Sequence, residues 1–181
     1  MIKPQSDDII SPCLPFIQLV FLEGKNRMVR KNKLLRTSFR QLLDPCMTDL
    51  GFEAAFPHYR RVEDGNAHLG EIQWGKNGGY FVFEFGRSEL PFLNWAGETV
   101  PLEHLTVSHV PGENRTRICR NSGRNRDAFH YADIFDDAEK IEAPVAEVVS
   151  YTGQASEWLR TGTVGPNTTP LSIPSWAEPT T

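Results

Sequence analysis

Apolar residues recur at Leu35, Phe39, Leu42, Leu43, Cys46 and Leu50, in steps of three and four. That spacing puts them on one face and predicts an amphipathic helix over Lys33 to Leu50. Gly51 follows at the position where a helix turns left-handed at its end, and Phe52 can fold back on the last turn. Pro45 lies inside the segment, so the helix should kink there or restart with Asp44 as its cap.

Past Phe52 the period changes to two. Phe56 to Val62 and Ala67 to Trp74 read as strands joined by a turn at Asp64-Gly65. The glycine-rich run Gly75-Lys76-Asn77-Gly78-Gly79 supplies a second turn, better explained as a hairpin than as a phosphate loop because strand patterns flank it. In Tyr80 to Phe85, residues Phe81, Phe83 and Phe85 share one face, and that face should pack on the helix. Each such ring, fully buried, contributes about 1.5–3 kcal/mol. Leu102 to Val110 reads as a fourth strand and Arg117 to Arg120 as a short fifth. Ala128 to Glu142 and Val145 to Leu159 read as helices, with Pro144 in the first turn of the second. The expected fold is α+β: an antiparallel sheet of about four to five strands packed by an N-terminal helix and C-terminal helices.

The ends differ from the middle. Residues 1–27 carry an apolar stretch broken by Pro12 and Pro15 and preceded by Asp7 and Asp8. It has neither the basic start nor the unbroken apolar run of a signal peptide, and it is too short for a spanning helix. It is expected to be a loosely attached extension, with Met28 as the natural start, which the N-terminal peptide of the natural protein would check. Residues 28–162 should form one domain, and residues 163–181, with four prolines and no period, a disordered tail.

Composition changes this picture little. Eleven Phe and four Trp are more than a disordered chain carries, so a folded core is expected. Cys13, Cys46 and Cys119 are odd in number and far apart, which argues for reduced structural thiols and a cytoplasmic setting. Charge matters more. The chain carries −4 overall, yet Lys25 to Arg40 holds seven basic residues and no acidic one. Arg30, Lys33, Arg36 and Arg40 fall on or near the polar face of the first helix. Arg117, Arg120, Arg124 and Arg126 form a second group around a Gly/Asn loop. Brought together, the two groups would make an anion or partner surface, with Tyr59, Trp74 and Tyr80 as stacking surfaces for a single strand. The plainer reading of each group is a solvated face.

No catalytic constellation stands out. His104 and His109 would point to opposite faces of the expected strand, and His58, His68 and His130 are scattered. Asp133, Asp136, Asp137, Glu139, Glu142 and Glu147 cluster on the C-terminal helices without a calcium-loop or Glu-x-x-His pattern, and read as a solvated face. There is no Gly-x-Ser-x-Gly elbow. No catalytic residue, metal ligand or cofactor is therefore expected.

One resemblance spans about residues 33–86. Phe39, Leu42, Pro45, Leu50-Gly51-Phe52, Tyr59-Arg60-Arg61, Ile72-Gln73-Trp74 and Tyr80 to Phe85 resemble the domain-of-unknown-function family 4304. The resemblance implies a small α+β bacterial domain with no settled activity, and it brings no catalytic residues. The stretch from Arg87 to Glu103 is less typical of that family. The leading functional expectation is a non-enzymatic protein-interaction module that uses its sheet surface or basic helix, with no membrane association. The alternatives are nucleic-acid or polyanion binding through the two basic groups, and a hydrolase with an unrecognised site.

Overall fold

The computed structural model describes residues 32–94, 96–121, 126–134 and 138–172. The expected extension 1–27 and the Met28 start lie outside them. Helix α1, residues 32–49, contains a π-turn at Phe39–Leu43 and ends in the α-helical turn Asp44–Asp49. Pro45 explains the π-turn. Proline lacks the donor for the usual i−4 bond, and the Asp44 N–H reaches back to Phe39 O, five residues away. The end of α1 is a Schellman motif. Gly51 has φ +83°, its N–H bonds Thr48 O at 2.9 Å, and the Phe52 N–H bonds Met47 O at 2.9 Å.

Strands β1 (Glu53–Ala55), β2 (His58–Glu63), β3 (Asn66–Trp74) and β4 (Tyr80–Glu89) form an antiparallel meander. The turns at 64–65 and 75–79 sit where the glycines placed them. Beyond β4 the chain adds β5 (Arg115–Ile118), β6 (Phe129–His130) and β7 (Thr168–Pro170). Among the described residues the sheet thus has seven strands, in the order β1-β2-β3-β4-β5-β7, with β6 also pairing β4. The expectation of four to five strands was short because β1, β6 and β7 are only two or three residues long. Such strands carry no period of their own, and their partners define them. The described part of the expected tail, residues 163–172, contributes β7 to the sheet edge, with Arg117 opposite Thr169.

Three further expectations are corrected. Leu102 to Val110 is not a strand but two 3-10 turns, Leu102–His104 and Val107–His109. Leu105 and Val107 imitate strand alternation because both are buried on the sheet. Thr106 and His109 instead cap a turn, with His109 Nδ1 accepting the Thr106 N–H at 3.1 Å. Ala128 to Glu142 is not one helix. Phe129 stacks on Phe81 at 5.4 Å, and the Tyr131 N–H bonds Gly79 O, so the segment joins β4. Helix α2 is one 24-residue element, Ala138–Thr161, with Pro144 inside it. Losing one backbone bond is outweighed by burying Ile141, Val145 and Val148 on both sides of Pro144.

The main core lies between α1, α2 and one face of the sheet. Phe81, Phe83 and Phe85 are fully buried there, as expected, and Phe39 of α1 meets Phe81 edge-on at 4.9 Å. Trp158 and Val148 of α2 join the same cluster. A smaller core occupies half of the opposite face, where Leu105, Val107 and Val110 cover Ala67 and Leu69. Gly86 lies beneath it: a Cβ there would come 3.1 Å from Val110 Cγ2. Gly86→Ala is expected to lower stability by about 1 kcal/mol, since crowding outweighs the small gain in strand propensity. The urea midpoint would show it.

Candidate functional site

The other half of that second face is open and polar. Period two decides its residues. If Phe81, Phe83 and Phe85 point to the helices, then Tyr80, Val82 and Glu84 point away from them. Strand register then lines up His58 on β2, Glu71 on β3, Glu84 on β4, Arg117 on β5 and Thr169 on β7 as one cross-strand row.

Electrostatics along the row are uneven. Glu84 is fully buried and held by two arginines: Arg115 Nη1 donates to Oε1 at 3.0 Å and Arg117 Nε to Oε2 at 2.7 Å. Arg117 Nη1 also donates to Asp127 Oδ2 at 3.0 Å. Burial works against the Arg117 charge, but the Glu84 and Asp127 carboxylates hold its pKa above the ordinary arginine value. Glu71 stands directly opposite Glu84. Its Oε2 is buried and finds no hydrogen-bond partner among the described residues, and the same is true of His58 Nδ1.

Where the row meets the strand ends, a cleft of about 390 Å³ opens, lined by Gln73, Trp74, Tyr80, Val82, Arg117, Asp127, Ala128 and His130. Tyr80 and His130 are cross-strand partners whose rings lie 5.5 Å apart. The lining contains no serine or cysteine nucleophile. Among the described residues no group of His, Cys, Asp and Glu is arranged to hold a metal ion.

The basic residues expected to form a surface divide in two. On α1, Lys33, Arg36 and Arg40 are exposed. The Arg36 guanidinium lies 5.4 Å from the Trp74 ring and 5.8 Å from Phe56, and Arg40 lies 5.4 Å from Phe56. In the second group Arg117 and Arg120 spend their charges on carboxylates of the fold, while Arg126 stays exposed. Arg117 holds Glu84 and Asp127. Arg120 grips Glu147 of α2 with Nε and Nη2, donates to Ala128 O, and covers the Phe129 ring at 4.4 Å. Arg126 donates to Thr169 Oγ1 at 2.7 Å. Arg30 and Arg124 lie outside the described residues. The two groups approach each other at Trp74, which touches Arg36 and also lines the cleft with Arg117.

Other expected groups find structural places. Tyr59 is fully buried and donates to Asp44 Oδ1 at 2.9 Å, so it offers no stacking surface. Burial and the Asp44 carboxylate push its pKa far up. Glu147 pairs with Arg120. Asp133 and Glu142 are exposed, while Asp136 and Asp137 lie outside the described residues, as does the side chain of Glu139. His104 and His109 end the two 3-10 turns and do not reach the cleft lining. Cys46 is partly buried, with its pKa raised by burial, and the buried Cys119 Sγ accepts from Thr169 Oγ1. The Glu71–Glu84 pair went unnoticed in the sequence, although the 75–79 hairpin implies it: pairing Trp74 with Phe81 puts Glu71 opposite Glu84.

No known family model matches the chain, and no curated protein or solved structure matches it either. No helix among the described residues is long and apolar enough to cross a membrane.

Proposed function

We propose that this protein is a non-enzymatic protein-interaction module, and that the basic face of α1 receives an acidic segment of its partner. One observation carries the reading: Arg36 and Arg40 are exposed yet held over Phe56 and Trp74. A guanidinium stacked on a ring keeps its in-plane N–H donors facing outward, where they match a carboxylate in bidentate fashion. Because the ring already limits its motion, less entropy is lost on binding. Lys33, exposed on the same helix, extends the positive strip.

Polyanion binding is the second reading, and the fate of the loop arginines weighs against it. With Arg117 and Arg120 engaged by carboxylates, Lys33, Arg36, Arg40 and the exposed Arg126 remain as described phosphate contacts from the two groups. Four contacts would give a slope of only about −3.6 for log K against log salt on duplex DNA. The hydrolase reading has no serine or cysteine in the cleft lining, and the Asp127 carboxylate there is already bound by Arg117. The resemblance to family 4304 is compatible with the interaction reading and adds no activity to it.

An octaglutamate peptide and a single-stranded DNA of equal charge separate the readings by fluorescence anisotropy. The peptide is expected to bind more tightly. The double variant Arg36→Ala, Arg40→Ala is expected to lose about tenfold in peptide affinity, about 1.4 kcal/mol, with its melting curve nearly unchanged. Tighter binding of the DNA, or equal peptide affinity in the variant, would overturn the proposal.

A further inference from the structure

We propose that the cleft at the ends of β3, β4 and β6 binds a neutral planar nitrogen heterocycle, namely a nucleobase presented free or as a nucleoside. This goes beyond the interaction reading and stands without it, although Trp74, which lines the cleft, also carries Arg36.

The charge of the cleft comes first. Its lining contains one cation, Arg117, and one carboxylate, Asp127, already joined at 3.0 Å. Behind them Glu84 is answered by Arg115 as well as Arg117. The positive charge is therefore committed, and little field remains to attract a phosphate or another anion. That balance selects for an uncharged ligand.

The walls decide its shape. Tyr80 and His130 place two rings side by side, 5.5 Å apart and tilted by 42°. The Tyr80 ring is held in place from below. Gly75 lies against it, and a Cβ at Gly75 would fall onto the ring. The Gly75 N–H bonds Tyr80 O at 3.0 Å, which closes the hairpin that carries both residues. Glycine here does more than allow a turn: it clears the space in which an aromatic wall lies flat. Val82 and Ala128 give the cleft an apolar floor. A flat ring stacked on such a wall needs no charge to bind.

The polar groups decide its edge. The Gln73 carboxamide offers an acceptor and two donors side by side. Asp127 uses Oδ2 for Arg117, and its other oxygen can accept. A ligand that meets both must carry donors and acceptors together on one rigid edge. Nucleobases have that property, and proteins read them with amides and carboxylates while stacking on aromatic side chains. A cleft of about 390 Å³ lies within the range of small-molecule sites.

The test titrates adenosine, guanosine, cytidine and uridine, each beside its 5′-monophosphate, into the full chain. Calorimetry gives the affinity, and the His130 ring protons in NMR give the location. At least one nucleoside is expected to bind saturably below millimolar concentration and to shift those protons. Its monophosphate should bind within about twofold of it, and raising salt from 50 to 500 mM should change the affinity by less than about twofold. Gln73→Ala is expected to cost at least about tenfold, as is Gly75→Ala, which displaces Tyr80 without touching the ligand. Circular dichroism would check that both variants keep the fold. The Arg36→Ala, Arg40→Ala double variant should bind nucleosides normally, so this proposal and the interaction reading fail separately. Three results would overturn it: no response of His130 to any nucleoside at 5 mM, a monophosphate that binds much more tightly and weakens with salt, or unchanged affinity in a folded Gln73→Ala variant.

Discussion

Arg61→Met is expected to lower stability by about 3–5 kcal/mol, the cost typical of removing one partner from a buried charge network. Arg61 belongs to the sheet face that meets the helices, and its side chain is 6% exposed. Its Nη1 donates to Leu50 O at 2.8 Å, which occupies a carbonyl at the C-terminal end of α1. The same nitrogen reaches Ser156 Oγ of α2 at 3.0 Å. Its Nη2 lies 2.8 Å from His68 Nδ1 and 3.1 Å from Glu63 Oε2, and its plane covers Phe52 at 4.5 Å. One side chain thus ties the end of α1, two strands and α2. Methionine would keep much of the packing on Phe52 and remove the donor from Leu50 O and His68 Nδ1, while Glu63 and Ser156 keep Arg160. Relief of repulsion from Arg160, which together with burial depresses the Arg61 pKa, offsets part of the loss. Urea unfolding would measure it. A change below about 1 kcal/mol would mean that the network adds nothing to stability.

The second large effect is acid sensitivity centred on His68. This imidazole is 3% exposed and accepts from Arg61, so its neutral form is the one that fits. Burial, then Arg61 and Arg87, lower its pKa from 6.5 to about 4, against a smaller opposing pull from Glu63. The unfolded chain takes up its proton near pH 6.5 and the folded chain only near 4. The unfolded state therefore binds more protons across that window, and stability falls as pH drops through it. The loss reaches about 3 kcal/mol by pH 4 and is absent above about pH 7. Glu63 extends the decline. Despite the opposing effect of desolvation, its hydrogen bond to Arg160 and the nearby Arg61 charge hold its pKa below 4.5. Its contribution is present above that value and lost as pH falls further. Stability of the wild type and of His68→Gln, measured from pH 8 to 4, would separate the two groups. The variant curve is expected to be flatter between pH 6.5 and 4.5. Parallel curves would contradict this account of His68.

Arg87 performs a related task at the other helix end. Its Nη1 donates to Leu159 O and Arg160 O, the last carbonyls of α2, where the helix dipole favours a positive charge. Arg61 and Arg87 both come from strand residues facing the core, and each secures a helix terminus to the sheet. Neither was given a structural role from the sequence, where both stand among many arginines on a polar-looking chain.

The amino-acid sequence by itself determined the first half of this protein. Gly51 stops α1 because no other residue turns left-handed there without strain, and Gly65 and Gly79, with φ +73° and +85°, shape the two hairpin turns. Alternation then gives Phe81, Phe83 and Phe85 a common face, and the hairpin sets the register opposite them. All of these depend on residues a few positions apart. Only the tertiary structure decided the second half. Strands of two or three residues exist because a neighbour supplies their hydrogen bonds, and α2 continues past Pro144 because core residues on both sides of it are buried. The arginines depend on the same thing. Arg36 and Arg117 look alike along the chain, yet one faces outward over Trp74 and the other closes on Glu84 and Asp127. What a guanidinium can bind is set by which carboxylate the fold brings to it across the sheet, and that depends on register between strands more than 25 residues apart.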